Sequence, residues 1–133
     1  MSSLVLELKQ GESMILNGAV IRFKTRARLE LNNHARFLFG KQVMRAEDAT
    51  SLTRQVYFAL QQSYIGGEEE GRAALCQARE MIGTSLAAQE EGSRENWVAL
   101  LELSTAATAL EALKLARRMI RAEETHAGTA EPR

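Results

Sequence analysis

The sequence is short of most residues that mark a dedicated chemistry or compartment. Its 133 residues include one cysteine, one proline, one tryptophan and two histidines. A lone cysteine, Cys76, cannot close an internal disulfide or anchor a zinc site, so the chain reads as intracellular, metal-free and without a cofactor. Set among alanines in a helical stretch, Cys76 is expected to be a buried small hydrophobe rather than a nucleophile. No run approaches the roughly 18 apolar residues that span a bilayer. Met1-Ser2-Ser3-Leu4 also lacks the positive region that precedes the apolar block of a signal peptide. The expected location is the cytoplasm. His34 falls in a turn beside Asn33 and Arg36, and His126 in the terminal segment, neither at metal-ligand spacing from a cysteine or acid. Gly66-Gly67 does not read as a phosphate cradle, because Glu68-Glu69-Glu70 would repel the anion; the triple acid reads as a solvated helix start. No catalytic constellation emerges, and the chain is not expected to be an enzyme.

Net charge is missing as well, with 17 Lys and Arg against 17 Asp and Glu. That zero conceals a split. Residues 1–45 hold eight cations against three anions, and residues 46–133 hold nine against fourteen, so a surplus of five positive charges faces an equal negative one. A basic front half on an acidic back half points to a polyanion-facing surface at one end. The remaining composition, 45% hydrophobic and 26% charged, is that of a globular chain.

From Leu4 to Gly40 the pattern has period two. Leu4, Leu6 and Leu8 alternate with Val5 and Glu7, and Lys9-Gln10-Gly11-Glu12 reads as a turn. Asn17-Gly18 between Met14-Ile15-Leu16 and Ala19-Val20-Ile21 is a strong hairpin signal, because a type I′ turn requires positive φ at both central residues. A two-residue loop pairs Leu16 with Ala19 and Met14 with Ile21. Ile21, Phe23, Thr25, Ala27, Leu29 and Leu31 then share one parity, with Arg22, Lys24, Arg26, Arg28 and Glu30 on the other. A bend near Lys24-Thr25-Arg26 with a three-residue loop preserves both. Ala35, Phe37 and Phe39 complete a set of four to five short antiparallel strands packed on one face.

After Met44 the period becomes helical. Glu47, Asp48 and Thr50 suit a helix start, Leu52, Val56, Leu60 and Tyr64 follow at helical spacing, and Gly66-Gly67 ends the element. A second helix spans Arg72 to about Gln89, with Leu75, Ala78, Ile82 and Leu86 on one face. A long last helix is expected from about Ser93 to Glu124, with residues 125–133 as a flexible tail. Its stripe of Leu103, Ala106, Leu110, Leu113 and Ile120 is broken only where Arg117 takes an apolar slot. Val98, Leu101, Ala109, Ala112, Ala116 and Met119 add a second stripe, so the apolar face is wider than one partner helix requires. The fold class is therefore α+β: a small antiparallel sheet over about residues 4–40, then about three helices over residues 46–124. At about 40 residues the strand half is near the lower limit for folding alone, so residues 1–133 are read as one domain with a shared core.

The cations of the front half are the sharpest feature. Same-face residues on a strand lie about 6.6 Å apart, so Arg22, Lys24, Arg26 and Arg28 on one strand would form a row that meets several phosphates, with Arg36, Lys41 and Arg45 extending it. Phe23, Phe37 and Phe39 lie nearby and would stack bases if exposed, although parity places them in the core. Two readings fit the stripe: a nucleic-acid surface, or the solvated face of a sheet whose charges deter edge aggregation. Spacing alone does not separate them.

Residues 11–58 resemble the FlbT family of bacterial flagellar regulators. The match is carried by Gly11-Glu12, by the hairpin Leu16-Asn17-Gly18-Ala19-Val20-Ile21-Arg22, by Leu29-Glu30-Leu31 with Asn33 and Phe37-Leu38, and above all by Val43-Met44, Glu47-Asp48-Ala49-Thr50 and Arg54-Gln55-Val56-Tyr57-Phe58. The chain departs from the family pattern where prolines often surround the Glu-Asp-Ala-Thr run. Ala46 precedes it here and Leu52-Thr53 replaces a Pro-Leu pair, which leaves the start of the first helix open. The resemblance implies a small cytoplasmic post-transcriptional regulator that acts on the 5′ untranslated region of flagellin mRNA and lowers its translation or stability. In some relatives the effect on flagellin is positive, and a small flagellar partner, FlaF, acts alongside. No catalytic residues are implied.

Two functions are thus weighed. The first is an RNA-binding repressor that uses the basic stripe, with Leu103, Leu110, Leu113 and Ile120 of the last helix forming a homo-oligomer or partner interface that doubles the basic surface. The second is an assembly or interaction protein whose helical half, over the wide face from Trp97 to Ile120, grips a flagellar protein. A third reading of that face is plain intramolecular core.

Overall fold

The computed structural model describes residues 4–33, 35–89 and 91–130, with the side chains of residues 91 and 126–130 left aside. The expectations for Met1–Ser3, for His34 and for residues 131–133 therefore lie outside the described residues, as does any statement on the His126 side chain.

Five strands come first: β1 (Leu4–Leu8), β2 (Ser13–Leu16), β3 (Ala19–Arg22), β4 (Ala27–Leu31) and β5 (Phe37–Phe39). The β2–β3 hairpin has the register set by its two-residue turn, Leu16 opposite Ala19 and Met14 opposite Ile21. Asn17 and Gly18 both take positive φ, 49° and 88°, as a type I′ turn demands. Gly18 has a second reason to be glycine: a Cβ there would lie 3.1 Å from the Ile65 carbonyl oxygen.

The strands form two sheets. β1 pairs only with β4, while β2 lies between β3 and β5. The expected row from Ile21 to Leu31 is therefore divided, with β3 and β4 in different sheets and residues 23–26 outside any strand. The cause lies in the Phe23 backbone, which is taken by the preceding turn: its N–H donates to the Glu12 carbonyl (3.0 Å) and its carbonyl accepts from Gly11 (2.8 Å). Parity survives the break. Leu6, Leu8 and Met14 are buried between the sheets with Ile21, Phe23, Leu29, Leu31, Phe37 and Phe39 packed around them. The three phenylalanines are thus core residues.

The opposite face of the three-stranded sheet is also covered. Ile15 and Leu38 are cross-strand partners, exposed by only 3% and 1%, and Leu38 belongs to the helical core. One-sided patterning does not anticipate this second buried face.

A 3₁₀ turn, Gly40–Gln42, and another, Ala46–Asp48, lead to α1 (Leu52–Ile65). The open question of its start is answered by Ser51, whose side chain caps the helix by accepting from the Arg54 N–H at 3.2 Å. Met44 is tied to α1 at both ends of its peptide, since its N–H donates to the Gln61 side chain (2.8 Å) and its carbonyl accepts from it (2.9 Å). Gln61 is thereby buried with its amide satisfied.

α2 (Glu68–Ala88) begins earlier than expected. The three glutamates form its exposed first turn, favoured by the positive end of the helix dipole. A Cβ at Gly71 would meet the Ser63 carbonyl at 2.9 Å, so glycine permits the close approach of α1 and α2. The expectation for Cys76 is wrong: it is exposed. The buried side of α2 runs through Gly71, Ala78, Ile82 and Ser85, and Cys76, two residues from Ala78, points to the other side of a helix with 3.6 residues per turn.

The long last helix is two helices, α3 (Glu91–Leu103) and α4 (Ala109–Ala130), making four α-helices among the described residues. The break falls in Ser104-Thr105-Ala106-Ala107-Thr108, where hydroxyls compete for the backbone. Ser104 donates to the Leu100 carbonyl (2.7 Å), Thr108 donates to the Leu103 carbonyl (2.7 Å), and the Thr108 N–H donates to the Thr105 side chain (3.2 Å). Arg79 of α2 satisfies the end of α3 by donating to the carbonyls of Leu101 (3.2 Å) and Ser104 (2.9 Å). The helical backbone then continues through Ala130, where a tail from residue 125 was expected.

Folding α3 back on α4 turns the two apolar stripes inward. Trp97, Leu100, Ala112, Leu113, Ala116, Met119 and Ile120 are buried in one core with Val56, Tyr57 and Leu60 of α1 and Ile82 of α2, and Leu103 and Leu110 pack against it. The four residues assigned to an intermolecular interface, Leu103, Leu110, Leu113 and Ile120, are thus part of the core or its margin. No described helix is long and apolar enough to cross a membrane.

Candidate nucleic-acid interface

The seven cations singled out from the sequence fall into three settings. Arg22 on β3, Arg28 on β4, and Lys24 and Arg26 in the connection between them are all exposed. They are divided between strands of two different sheets and the connection that joins them, so they do not form a row on one strand. Arg26 lies 4.0 Å from the Glu7 carboxylate, with both side chains largely in solvent, a contact worth little. Arg28 stands opposite Glu7 in the β1–β4 register. Arg22, Lys24 and Arg28 form no ion pair with the described residues.

Arg36 and Arg45 are engaged in holding the chain. The Arg36 guanidinium lies 5.7 Å from the centre of the Tyr64 ring and donates to the Tyr64 carbonyl at 3.3 Å. Its backbone exchanges hydrogen bonds with Asn17, N–H to Oδ1 at 3.0 Å and carbonyl from N–H at 2.8 Å, so it joins the hairpin turn to the end of α1. Arg45 is paired with Asp48 at 3.0 Å and Glu47 at 3.7 Å. The hydrogen bond that Arg45 donates to the Asp48 carboxylate raises the Arg45 pKa above its ordinary value.

Lys41 opens onto a different feature. A groove of about 400 Å³ lies between the Gly40–Asp48 segment, α1 and α4, lined by Lys41, Arg54, Tyr57, Arg117, Arg121 and Glu124, with Asp48, Val43, Met44 and Ile120 completing it. Arg54 is committed within it, to Glu124 by an ion pair and to the Asp48 carbonyl at 3.4 Å. Arg117 donates to the Lys41 carbonyl, 76 positions away along the chain. Tyr57 donates its hydroxyl to the Gln42 carbonyl. Burial pushes the Tyr57 phenol above its usual value, while the nearby Arg117 charge and hydrogen bond act in the opposite direction.

Of the cations of the basic stripe, only Lys41 lines this groove, although the sequence carries one further signal of it. Arg117 interrupts the apolar stripe of the last helix, and the structure shows why: it faces the 3₁₀ turn after β5 instead of a core neighbour. Arg121, one turn further along α4, carried no such mark. Among the described residues, no group of three or more His, Cys, Asp or Glu side chains is arranged to hold a metal ion.

Comparison with known proteins agrees with the sequence resemblance. The family model described as "Flagellar protein FlbT" matches residues 4–126. The chain is 31% identical over 131 residues, covering 90% of it and 88% of the relative, to a protein of Bradyrhizobium diazoefficiens named "Probable flagellum biosynthesis repressor protein FlbT 2". Over 60 residues, 45% of this chain and 40% of the relative, it is 45% identical to the "Probable flagellum biosynthesis repressor protein FlbT" of Brucella ovis. No solved structure matches significantly. With a match that runs through both the strands and the helices, the chain belongs to the FlbT family of flagellar proteins.

Proposed function

We propose that this protein is a cytoplasmic post-transcriptional regulator of flagellum biogenesis that binds the 5′ untranslated region of flagellin mRNA and represses its translation or promotes its decay. The relatives' names, flagellum biosynthesis repressors, support the regulatory part. The observation that carries the RNA part is the exposed set Arg22, Lys24 and Arg28 on and between β3 and β4, which form no ion pair with the described residues. Unpaired surface cations are free to replace counterions on a phosphate backbone, giving affinity that falls with salt by about 0.7 log units per log unit of salt for each single-strand contact. Phosphate contacts of this kind position an RNA without reading its sequence.

The test is a filter-binding salt series with a flagellin leader RNA, comparing the native protein with the R22E/R28E double variant. A shallower slope and weaker binding in a still-folded variant support the reading. A native protein with no salt-dependent affinity for the leader sinks it.

A second reading, an interaction protein that works through a protein partner such as FlaF, has one observation behind it. A groove of about 390 Å³ between α1 and α2 is lined by Leu52, Met81 and Ala88 among others, and Leu52 is 43% exposed. Co-purification with a flagellar protein that is lost in L52E, with no RNA affinity, would favour it.

A further inference from the structure

We propose that the groove between the Gly40–Asp48 segment, α1 and α4 binds one nucleotide of an RNA chain, with Lys41, Arg117 and Arg121 holding its phosphate. The inference rests on the RNA-binding reading for the source of the anion, and adds a second contact site on the helical half.

Charge is the first reason. Of the charged side chains that line the groove, Arg54 and Glu124 neutralise each other, and Asp48 is neutralised from outside by Arg45. Lys41, Arg117 and Arg121 remain, and none forms an ion pair with the described residues. Three uncompensated cations at one concavity repel each other and are stabilised by an anion. Arg117 and Arg121 belong to the half of the chain whose overall charge is negative, so their place beside Lys41 is not a by-product of composition.

Geometry is the second reason. Arg117 and Arg121 are four residues apart on α4 and share a face. The Arg117 hydrogen bond to the Lys41 carbonyl holds the head of the guanidinium beside the 3₁₀ turn that carries the Lys41 side chain. A guanidinium has five N–H donors, so this anchoring leaves others for a phosphate oxygen. Arginine is suited to that task by its planar, forked donors.

Size and lining are the third. At about 400 Å³, the groove falls within the range of roughly 300–1,000 Å³ typical of small-molecule sites and is larger than a phosphate alone requires. Val43, Met44 and Ile120 supply an apolar wall against which a base or ribose can lie. Tyr57 is 3% exposed and bonded to Gln42, so it is a fixed floor and not a stacking platform. Arg117 in an apolar slot of the last helix is explained by the same assignment.

The experiment combines two readouts on the full chain. Leader-RNA affinity is measured for native protein, K41E, R121E and the charge-retaining R121K. Amide shifts are followed by NMR during titration with uridine 5′-monophosphate and, separately, with inorganic phosphate. Lys41 and Arg121 are exposed, so the variants are expected to melt with the native protein. The expected result is about a tenfold loss of RNA affinity in K41E and R121E, a smaller loss in R121K, which keeps the charge but not the forked donors, and nucleotide-induced shifts at Met44, Tyr57 and Ile120 that R121E abolishes. If native protein binds the leader and K41E and R121E bind it equally well, the groove assignment is overturned and the RNA reading stands. If native protein does not bind the leader, the RNA reading falls, and the nucleotide titration decides the groove alone: shifts confined to it sustain a nucleotide site, and their absence overturns it. Shifts with inorganic phosphate equal to those with the nucleotide overturn the nucleotide assignment in favour of a simple anion site.

Discussion

The strand half and the helical half achieve order by different means. Among the described residues, fifteen are buried in the cluster formed by the four helices and Leu38, whereas Leu6, Leu8 and Met14 are the three buried in the cluster between the sheets. The strand half compensates with contacts to the helices: Leu38 in the helical core, Gly18 against Ile65, Arg36 on Tyr64 and Met44 on Gln61. The difference separates tasks. The helices supply most of the buried apolar area, and the thin strand half, with its surplus of positive charge, is left to present cations to solvent.

The largest effect that tests this contrast is expected in the helical core. Leu60 is fully buried, and L60A is expected to cost about 2–5 kcal/mol, unfolding both halves in one transition by urea titration followed by circular dichroism. Separate transitions for strands and helices would break the dependence of one on the other. A smaller effect is expected at the contact between hairpin and helix. G18A combines a φ of 88° with a Cβ placed 3.1 Å from Ile65 O, and is expected to cost on the order of 1–3 kcal/mol. A destabilisation no greater than that of G11A, where a Cβ meets nothing within 4 Å at a similar φ of 89°, would show that the turn does not press on α1.

The smallest effect concerns pH. The Tyr57 phenol is raised above its usual value by burial, so the folded state favours the neutral form. The associated stability is fully present below the unfolded value of about 10 and is lost as pH rises through the higher folded value. Denaturation midpoints between pH 7 and 11 should therefore fall more steeply for native protein than for Y57F. Equal slopes would remove Tyr57 from the alkaline response and weaken its assignment as the rigid floor of the groove.

Much of this was legible from neighbouring residues. Asn17-Gly18 determines the first hairpin and its register, period-two and helical spacing separate the halves at about residue 45, and the helical spacing of Leu75, Ala78, Ile82 and Leu86 marks the side of α2 that packs on the core. The break between α3 and α4 was missed, although Ser104, Thr105 and Thr108 carried it, because a helical stripe continues across a five-residue turn without losing its period. Cys76 was misplaced because composition around a residue does not say which side of a helix it occupies. The interface residues Leu103, Leu110, Leu113 and Ile120 were read as a surface because a wide apolar face looks the same whether it covers another protein or its own chain.

The charges show the same division. That cations crowd the first 45 residues, and that Arg117 stands where an apolar residue is due, is plain from residue order alone. Packing of the elements is what puts Arg22 and Arg28 on different sheets, engages Arg36 at Tyr64 and brings Arg117 to the Lys41 carbonyl 76 positions away. Turns and periodicities arise from interactions a few residues apart and are written locally. Which charges converge depends on how whole elements pack, and that is settled by burying apolar faces to which the charged side chains contribute little.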